Sequence, residues 1–478
     1  MDEDGQGRRC LLNRRQLLAV SGFGALVGCT ELTGSGDSTE SSYGFNNGLK
    51  IGEVRPRSAL IWTRLSRNAP ATWATRNLWY PAADGTVQLL VWPEEDPTDV
   101  RSFERRAALH RDATVQFRLT DLDPDTAYSV VLRGTPDADE ERVELTGRFS
   151  TAPGDTTPAE VSFAVVSCQA WRFRDAGEAG FRTYRTLDDW DPDFFVHTGD
   201  IVYYDQGGLR GRSVSTARTH WHRTYSLELL TEFHNDTPSY FLKDDHDIID
   251  DDCWPGQRYG NLTFEDGVAV FEEQNPTGEV PYRTVRWGED LQIWLLEMRE
   301  FRSPNTVPDG PDKTILGERQ LRWLQETIDR SDAAFRVIIS PSIFVGPDRG
   351  NKNDNYANDG FSTESRMLRE FLADRDVVVV GGDRHWQYVS VDGETGLWEF
   401  GCGALAKGRE GGWNSGDLRP EHRFLAVRPG FVWATIAREN DEPILTIEHR
   451  SRRGRLRHSE QFTANPVEHR DPETAGSG

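Results

Sequence analysis

The chain has 478 residues and a formal net charge of -23, with 55 Lys and Arg against 78 Asp and Glu. That length allows two domains of ordinary size plus extensions, and the acidity disfavours a stable nucleic-acid complex by long-range repulsion, without excluding nucleic acid as a substrate. Lysine is confined to Lys50, Lys243, Lys313, Lys352 and Lys407, a pattern that suits a high-salt host and equally a GC-rich genome.

Asn13-Arg14-Arg15-Gln16-Leu17-Leu18 is a twin-arginine pattern, followed by a run from Ala19 to Val27 too short for a stable bilayer anchor. Leu26-Val27-Gly28-Cys29 resembles a lipobox, so residues 1–29 read as a twin-arginine lipoprotein signal and Cys29 as the lipidated first residue of the mature chain. Residues 30–44 then form a polar tether. These features imply export by the twin-arginine translocase, to the cell surface as a membrane-anchored lipoprotein or into the medium. Beyond Cys10 and Cys29 lie Cys168, Cys253 and Cys402. An odd number leaves one unpaired; Cys253 and Cys402 are expected as a disulfide or as two buried thiols.

Residues 45–153 read as short strands, such as Val87-Gln88-Leu89-Leu90-Val91-Trp92, with no catalytic cluster. The stretch from Leu122 to Leu132 followed by Gly147-Arg148-Phe149-Ser150-Thr151 resembles the end of a fibronectin type III-like sandwich, in which Tyr128 anchors a strand corner. Ala152 to Pro158 reads as a linker. From Ala159 strands alternate with helical patterns, the α/β signature, over residues 159–449. Gln320, Leu321, Leu324 and Ile328 recur at helical spacing, which makes Trp323 a packing residue. Residues 450–478 read as a charged, mobile tail.

In this second region, apolar strands run into turns that carry ligand-type residues: Ser167-Cys168-Gln169, Gly199-Asp200-Ile201-Val202-Tyr203, Asp244-Asp245-His246-Asp247 and Gly382-Asp383-Arg384-His385. Side chains just past the carboxyl ends of neighbouring strands converge on one crevice in open α/β sheets. Asp200 is the expected bridge between two cations about 3.5–4 Å apart. Tyr203 as a phenolate and Cys168 as a thiolate point to a strongly Lewis-acidic transition metal such as ferric iron, which His385 also serves. Asp245 and Asp383 offer hard oxygens to calcium, magnesium or manganese, with zinc also considered at that second position. His197, inside its strand, reads as a packed core histidine.

In order and spacing these four turns resemble the alkaline phosphatase D (PhoD-like) branch of the calcineurin-type metallophosphoesterases. Leu295 to Arg302 and Leu316 to Leu324 match as well, so the resemblance covers roughly residues 45–435. It implies a four-layer metallophosphoesterase β-sandwich with flanking helices, an α/β fold preceded by the all-β domain. It also implies Fe3+ on Cys168, Asp200, Tyr203 and His385, and Ca2+ on Asp200, Asp245 and Asp383.

Departures from that pattern raise their own expectations. Arg384 stands between two proposed ligands and is expected to face away from the metals. Asp250-Asp251-Asp252 reads as a solvated acidic turn or as extra ligands. Where many dinuclear phosphoesterases place a histidine, the chain has Ser340-Pro341-Ser342, and Asn261 or Asn275 is the substitute expected for the remaining calcium ligand. The expected reaction is hydrolysis of small phosphate esters by in-line attack of hydroxide held at the ions. His246 would protonate the leaving oxygen and Asp247 would hold its imidazole. The resulting function is an exported alkaline phosphatase or phosphodiesterase that releases phosphate from extracellular esters. Alternatives are a phosphodiesterase directed at lipids or surface polymers, and a non-catalytic metal-binding lipoprotein.

Overall fold

The computed structural model describes residues 42–68, 80–139 and 142–464. The twin-arginine pattern, Cys29 and nearly all of the tether lie outside the described residues, as does the chain end from 465. Among the described residues, no helix is long and apolar enough to cross a membrane.

Two large sheets face each other. A nine-stranded sheet carries the parallel neighbours Val161–Val166, Phe194–His197 and Ser239–Phe241 at its centre. A seven-stranded sheet carries Leu291–Leu295, Phe335–Ser340 and Val377–Gly381, also parallel. Phe163, Val165, Phe194 and Val196 from the first pack with Ile293, Val337, Ile339 and Val380 from the second in one buried cluster. The Val377-Val378-Val379-Val380 run is buried on both faces. Such strands read as continuous apolar runs because both faces are covered. Outside the first sheet lie helices Arg182–Trp190, Val214–Tyr225, Glu228–Asp236 and Phe264–Gln274; outside the second lie Gly317–Asp329 and Ser362–Ala373. The result is the expected four layers.

The amino-terminal region is all β, and its strand Gly85–Pro93 buries Val87, Leu89 and Val91 on one face, the period-two pattern of a half-covered sheet. Tyr128 sits at a strand corner as expected: its hydroxyl accepts from the Asp123 N–H at 2.8 Å. The region does not close on itself as an independent sandwich. Its second layer, Leu49–Arg55, Ser58–Arg64 and Thr114–Leu119, continues the nine-stranded sheet, with Gly52 opposite Ser239. Glycine is needed there because a Cβ at Gly52 would lie 2.5 Å from the Pro276 ring. Lys50 on the same strand crosses the boundary, donating to the Gln274 carbonyl at 2.6 Å above the Tyr225 ring.

The carboxyl-terminal segment also differs from expectation, since Leu456–Thr463 is an edge strand paired with Glu442–Ser451. Its polar side chains conceal it as a strand, because backbone pairing and single apolar anchors hold it; Phe462, for instance, packs edge-on to Trp398 at 5.3 Å. Trp323 packs against Tyr282, with ring centroids 4.8 Å apart.

Candidate metal centre

Four strand-to-loop turns meet at the carboxyl ends of the central strands, and their backbones are held in an uncommon conformation. Cys168, Asp200 and Asp383 all have positive φ, at 55°, 58° and 60°. Left-handed backbone is tolerated by Asp but costly for Cys, so the surroundings must impose it. Asp247 does much of this: its carboxylate accepts the N–H groups of Asp200 (2.7 Å), Ile201 (2.8 Å), Val202 (2.9 Å) and Asp244 (3.0 Å). The Cys168 turn is tied to the Asp200 turn by Gln169 N–H donating to the Asp200 carbonyl at 3.1 Å. Gly199 lets the turns approach, since a Cβ there would lie 2.6 Å from that of Asp244.

Asp200 stands at the middle of the resulting cluster. One donor atom each from Cys168, Asp200 and His385 fall within 4.8 Å of one another, and so do those from Asp200, Asp245 and His246. The Tyr203 hydroxyl donates to Asp200 Oδ2 at 2.7 Å and the Cys168 thiol to the same oxygen at 3.3 Å, whereas Oδ1 is buried with no hydrogen-bond partner. Burial, with Asp245, Asp247 and Asp383 adding to it, pushes the Asp200 carboxyl up to about 8. Burial and the Asp200 charge likewise raise the Cys168 thiol and the Tyr203 phenol well above their ordinary values. Burial and the charge of Arg409 lower His385 well below its own. A buried set of acids and a neutral imidazole held this way favours a cation in place of protons.

The family model described as PhoD-like phosphatase matches residues 163–440, and that of the PhoD-like phosphatase N-terminal domain matches residues 31–153. The chain belongs to the PhoD-like phosphatase family. That membership makes it a phosphatase. It is 23% identical to alkaline phosphatase D of Bacillus subtilis (strain 168) over 466 residues, covering 83% of this chain and 76% of that protein. Its fold is similar to a solved structure of PhoD, with a TM-score of 0.71 and 20% identity over 89% of this chain and 91% of the other. A purple acid phosphatase from yellow lupin (Lupinus luteus) seeds shares the fold at a TM-score of 0.63 and 13% identity, over 87% and 74% of the two chains.

Several expectations for this PhoD-like site need correction. Asp247 does not hold the His246 imidazole, because its oxygens serve the backbone donors above; Asp205 does so, 2.9 Å from Nδ1. Burial opposes a charge on His246, but Asp245, Asp200 and Asp205 outweigh it and raise the imidazole well above its usual value. Arg384 does not face away. It is buried and meets Asp383, Asp348 and Asp354, drawing the Asp383 carboxylate to itself at 2.5 Å. Asp383 therefore borders the cluster, touching it through its carbonyl, 3.6 Å from the Cys168 sulfur.

Neither candidate asparagine joins the site. Asn275 bonds the Phe271 carbonyl and Lys50, and Asn261 lies in the Arg258–Thr263 hairpin with its N–H on the Arg212 carbonyl. Asp252 is half-buried rather than solvated, with both carboxylate oxygens on Lys352 at 2.6 and 2.7 Å, while Asp251 is exposed. Cys253 and Cys402 are free buried thiols in separate clusters. His197 is buried in the core beside Phe195.

Residues without a prior role complete the surroundings. Arg299, buried, binds Asp244 at 2.5 Å and lies 3.7 Å from Asp245. Its signal was the Met298-Arg299-Glu300 segment, which follows an apolar strand as the four ligand turns do. Arg409 donates from Nε to the Tyr203 hydroxyl at 3.3 Å, with its guanidinium 4.5 Å from the ring centroid. Nothing in the local sequence of Arg409 marks it, because a long loop brings it back over the site.

Proposed function

We propose that the chain is an exported, metal-dependent phosphoester hydrolase that releases phosphate from extracellular esters through a dinuclear centre. The observation that carries this reading is Asp200, one carboxylate that meets donor atoms of Cys168 and His385 on one side and of Asp245 on the other. The donor chemistry fits two ions of different character. Sulfur, phenol and imidazole from Cys168, Tyr203 and His385 suit ferric iron, while the carboxylates of Asp200 and Asp245 suit calcium, with magnesium, manganese or zinc as substitutes, and Asp383 joins them only where Arg384 releases its carboxylate. The unpartnered Asp200 Oδ1 is the atom such a cation would satisfy. Two such ions, when bound, supply Lewis acidity that activates water and neutralises phosphoryl charge.

The chain's own groups do the rest. His246 holds a proton on an imidazole fixed by Asp205 and delivers it from Nε2 to the departing alcohol oxygen. Asp247 keeps the Asp200 turn in its strained shape, so the carboxylate is already oriented when substrate arrives. Arg409 covers the Tyr203 phenol and places a guanidinium at the rim, where an ester's phosphoryl oxygens would approach.

Small phosphate esters are the substrates in this reading, and the acidity of the chain weighs against a stable nucleic-acid complex. Export through the twin-arginine translocase and anchoring by a lipidated Cys29 rest on the leader pattern alone. The test is hydrolysis of a bis-aryl and a mono-aryl phosphate, with calcium supplied, by residues 30–478 and by the Asp200→Ala variant. Turnover is expected to fall on the order of 10³-fold in the variant. Equal turnover by the variant and the parent would remove the centre from the chemistry.

A further inference from the structure

A cavity of about 190 Å³ lies against the metal centre and shares Val202 and Tyr203 with it. Cavities for drug-sized ligands run to about 300–1,000 Å³, so this one suits a small headgroup. Its mouth is the Gly207-Gly208 turn, where an added Cβ would meet nothing within 4 Å.

The far wall is cationic and aromatic in a chain whose net charge is -23. Arg172 and Arg223 line it around Trp171, and Arg223 lies 4.6 Å from that indole ring. Behind them Arg174 stacks on the same ring at 3.4 Å. Among the described residues, neither Arg172 nor Arg223 forms an ion pair with a carboxylate. Arg223 gives one N–H to His220 Nδ1 at 2.9 Å, and its Nε is buried with no partner. Thr224, 1% exposed, lines the same cavity with its hydroxyl unpartnered. Buried polar groups are almost always satisfied, so unmet donors in a cavity wall point to a missing partner. Two guanidinium forks beside a hydroxyl match a tetrahedral oxyanion. Burial, with Arg174 adding, draws Arg223 down to about 10, which leaves it charged at neutral pH.

We propose that this cavity is a subsite for a second phosphate group, so that the enzyme prefers phosphate esters whose organic substituent carries a further phosphate on a short chain. The proposal rests on the phosphoesterase reading above and specifies its substrate class. The shared wall at Tyr203 sets the subsite beside the centre, and the small volume suits a headgroup as its occupant.

The experiment compares two diesters on metal-loaded protein: propyl 4-nitrophenyl phosphate and the analogue with a phosphate on the third propyl carbon. The parent is expected to show kcat/KM about tenfold higher for the phosphorylated ester, most of it in KM. That ratio should fall towards one in Arg223→Met and in Arg172→Gln, the latter at an exposed position that folding tolerates, and should recover in part in Arg223→Lys. Equal kcat/KM on the two esters in the parent overturns the subsite. So does a parallel loss on both esters in Arg172→Gln, which a merely structural role would give. Hydrolysis of neither diester by metal-loaded parent that still hydrolyses a mono-aryl phosphate overturns the subsite alone, whereas loss of all three activities overturns the phosphoesterase reading and the subsite with it.

Discussion

The two sides of Asp200 differ in where their positive charge comes from. On the Cys168, Tyr203 and His385 side, the protein's cation is Arg409, which sits at the rim and bonds the phenol. On the Asp245 and Asp383 side, Arg299 and Arg384 are fully buried against the carboxylates and Lys352 binds Asp252. The first side therefore has little protein charge of its own to balance its donors, while the second is already partly neutralised from within. Buried ion pairs add little net stability but are costly to break. An arginine placed among proposed ligands is thus expected to tune how strongly the second ion is held.

The largest effect should come from His246, which faces both sides. His246→Ala is expected to cost about 10²–10⁴-fold on alkyl phosphodiesters and far less on aryl diesters, whose leaving groups need no proton. Asp205→Asn should follow the same pattern with a smaller loss, and Asp247→Asn should instead lower stability. Equal losses on alkyl and aryl esters would take His246 out of the acid role.

Next in size is the pair Arg384→Met and Arg409→Met, which separates the two sides directly. Removing Arg384 takes away the guanidinium that Asp348, Asp354 and Asp383 share, and a denaturant titration without divalent cations should show a loss of ~3–5 kcal/mol. Added calcium should restore part of it. If calcium restores nothing, the second side does not take a cation where the guanidinium stood. Arg409→Met should leave the denaturation midpoint nearly unchanged and reduce kcat/KM by about tenfold, the worth of one charged hydrogen bond.

Most of the first side's grouping was legible in the sequence, because its candidate ligands follow directly on apolar strands: Val165-Val166 precedes the Cys168 turn and Phe195-Val196 the Asp200 turn. Local order along one strand fixes such turns. The second side was less legible because its partners come from far along the chain. Asp348 and Asp354 reach Arg384 from a loop after another strand, and Lys352 reaches Asp252 across 100 residues. The role of Asp247 was misread because carboxylates next to a histidine suggest a pair, whereas backbone N–H groups of the neighbouring turn claimed both oxygens. The α/β class was legible from strand and helix alternation, and the four layers from the resemblance that the four turns carry. The join at Gly52 and the strand Leu456–Thr463 were not, because the pairing of strands far apart in the chain, or of a polar strand, leaves little trace in hydrophobic pattern.

A last comparison reads the scaffold's own pH dependence apart from that of the site. His449 lies between the sheets, away from Asp200, with Nε2 at 2.9 Å from the Gly401 carbonyl and its ring stacked on Phe400. Burial pulls it down to about 3, against about 6.5 in an unfolded chain. Between those values the unfolded chain binds a proton that the native state refuses, so stability falls as pH drops from about 6.5 towards 3. His449→Gln keeps a donor for the Gly401 carbonyl and removes the titration. The slope of unfolding free energy against pH should then flatten by one proton, about 1.4 kcal/mol per pH unit, between pH 6 and 4. The acids around Asp200 should leave the remaining slope unchanged in that variant. An unaltered slope would assign the acid sensitivity in this window to other buried histidines, such as His197 and His222, which burial pulls down to about 3 and about 4, and would mean that His449 takes up its proton as readily in the fold as outside it.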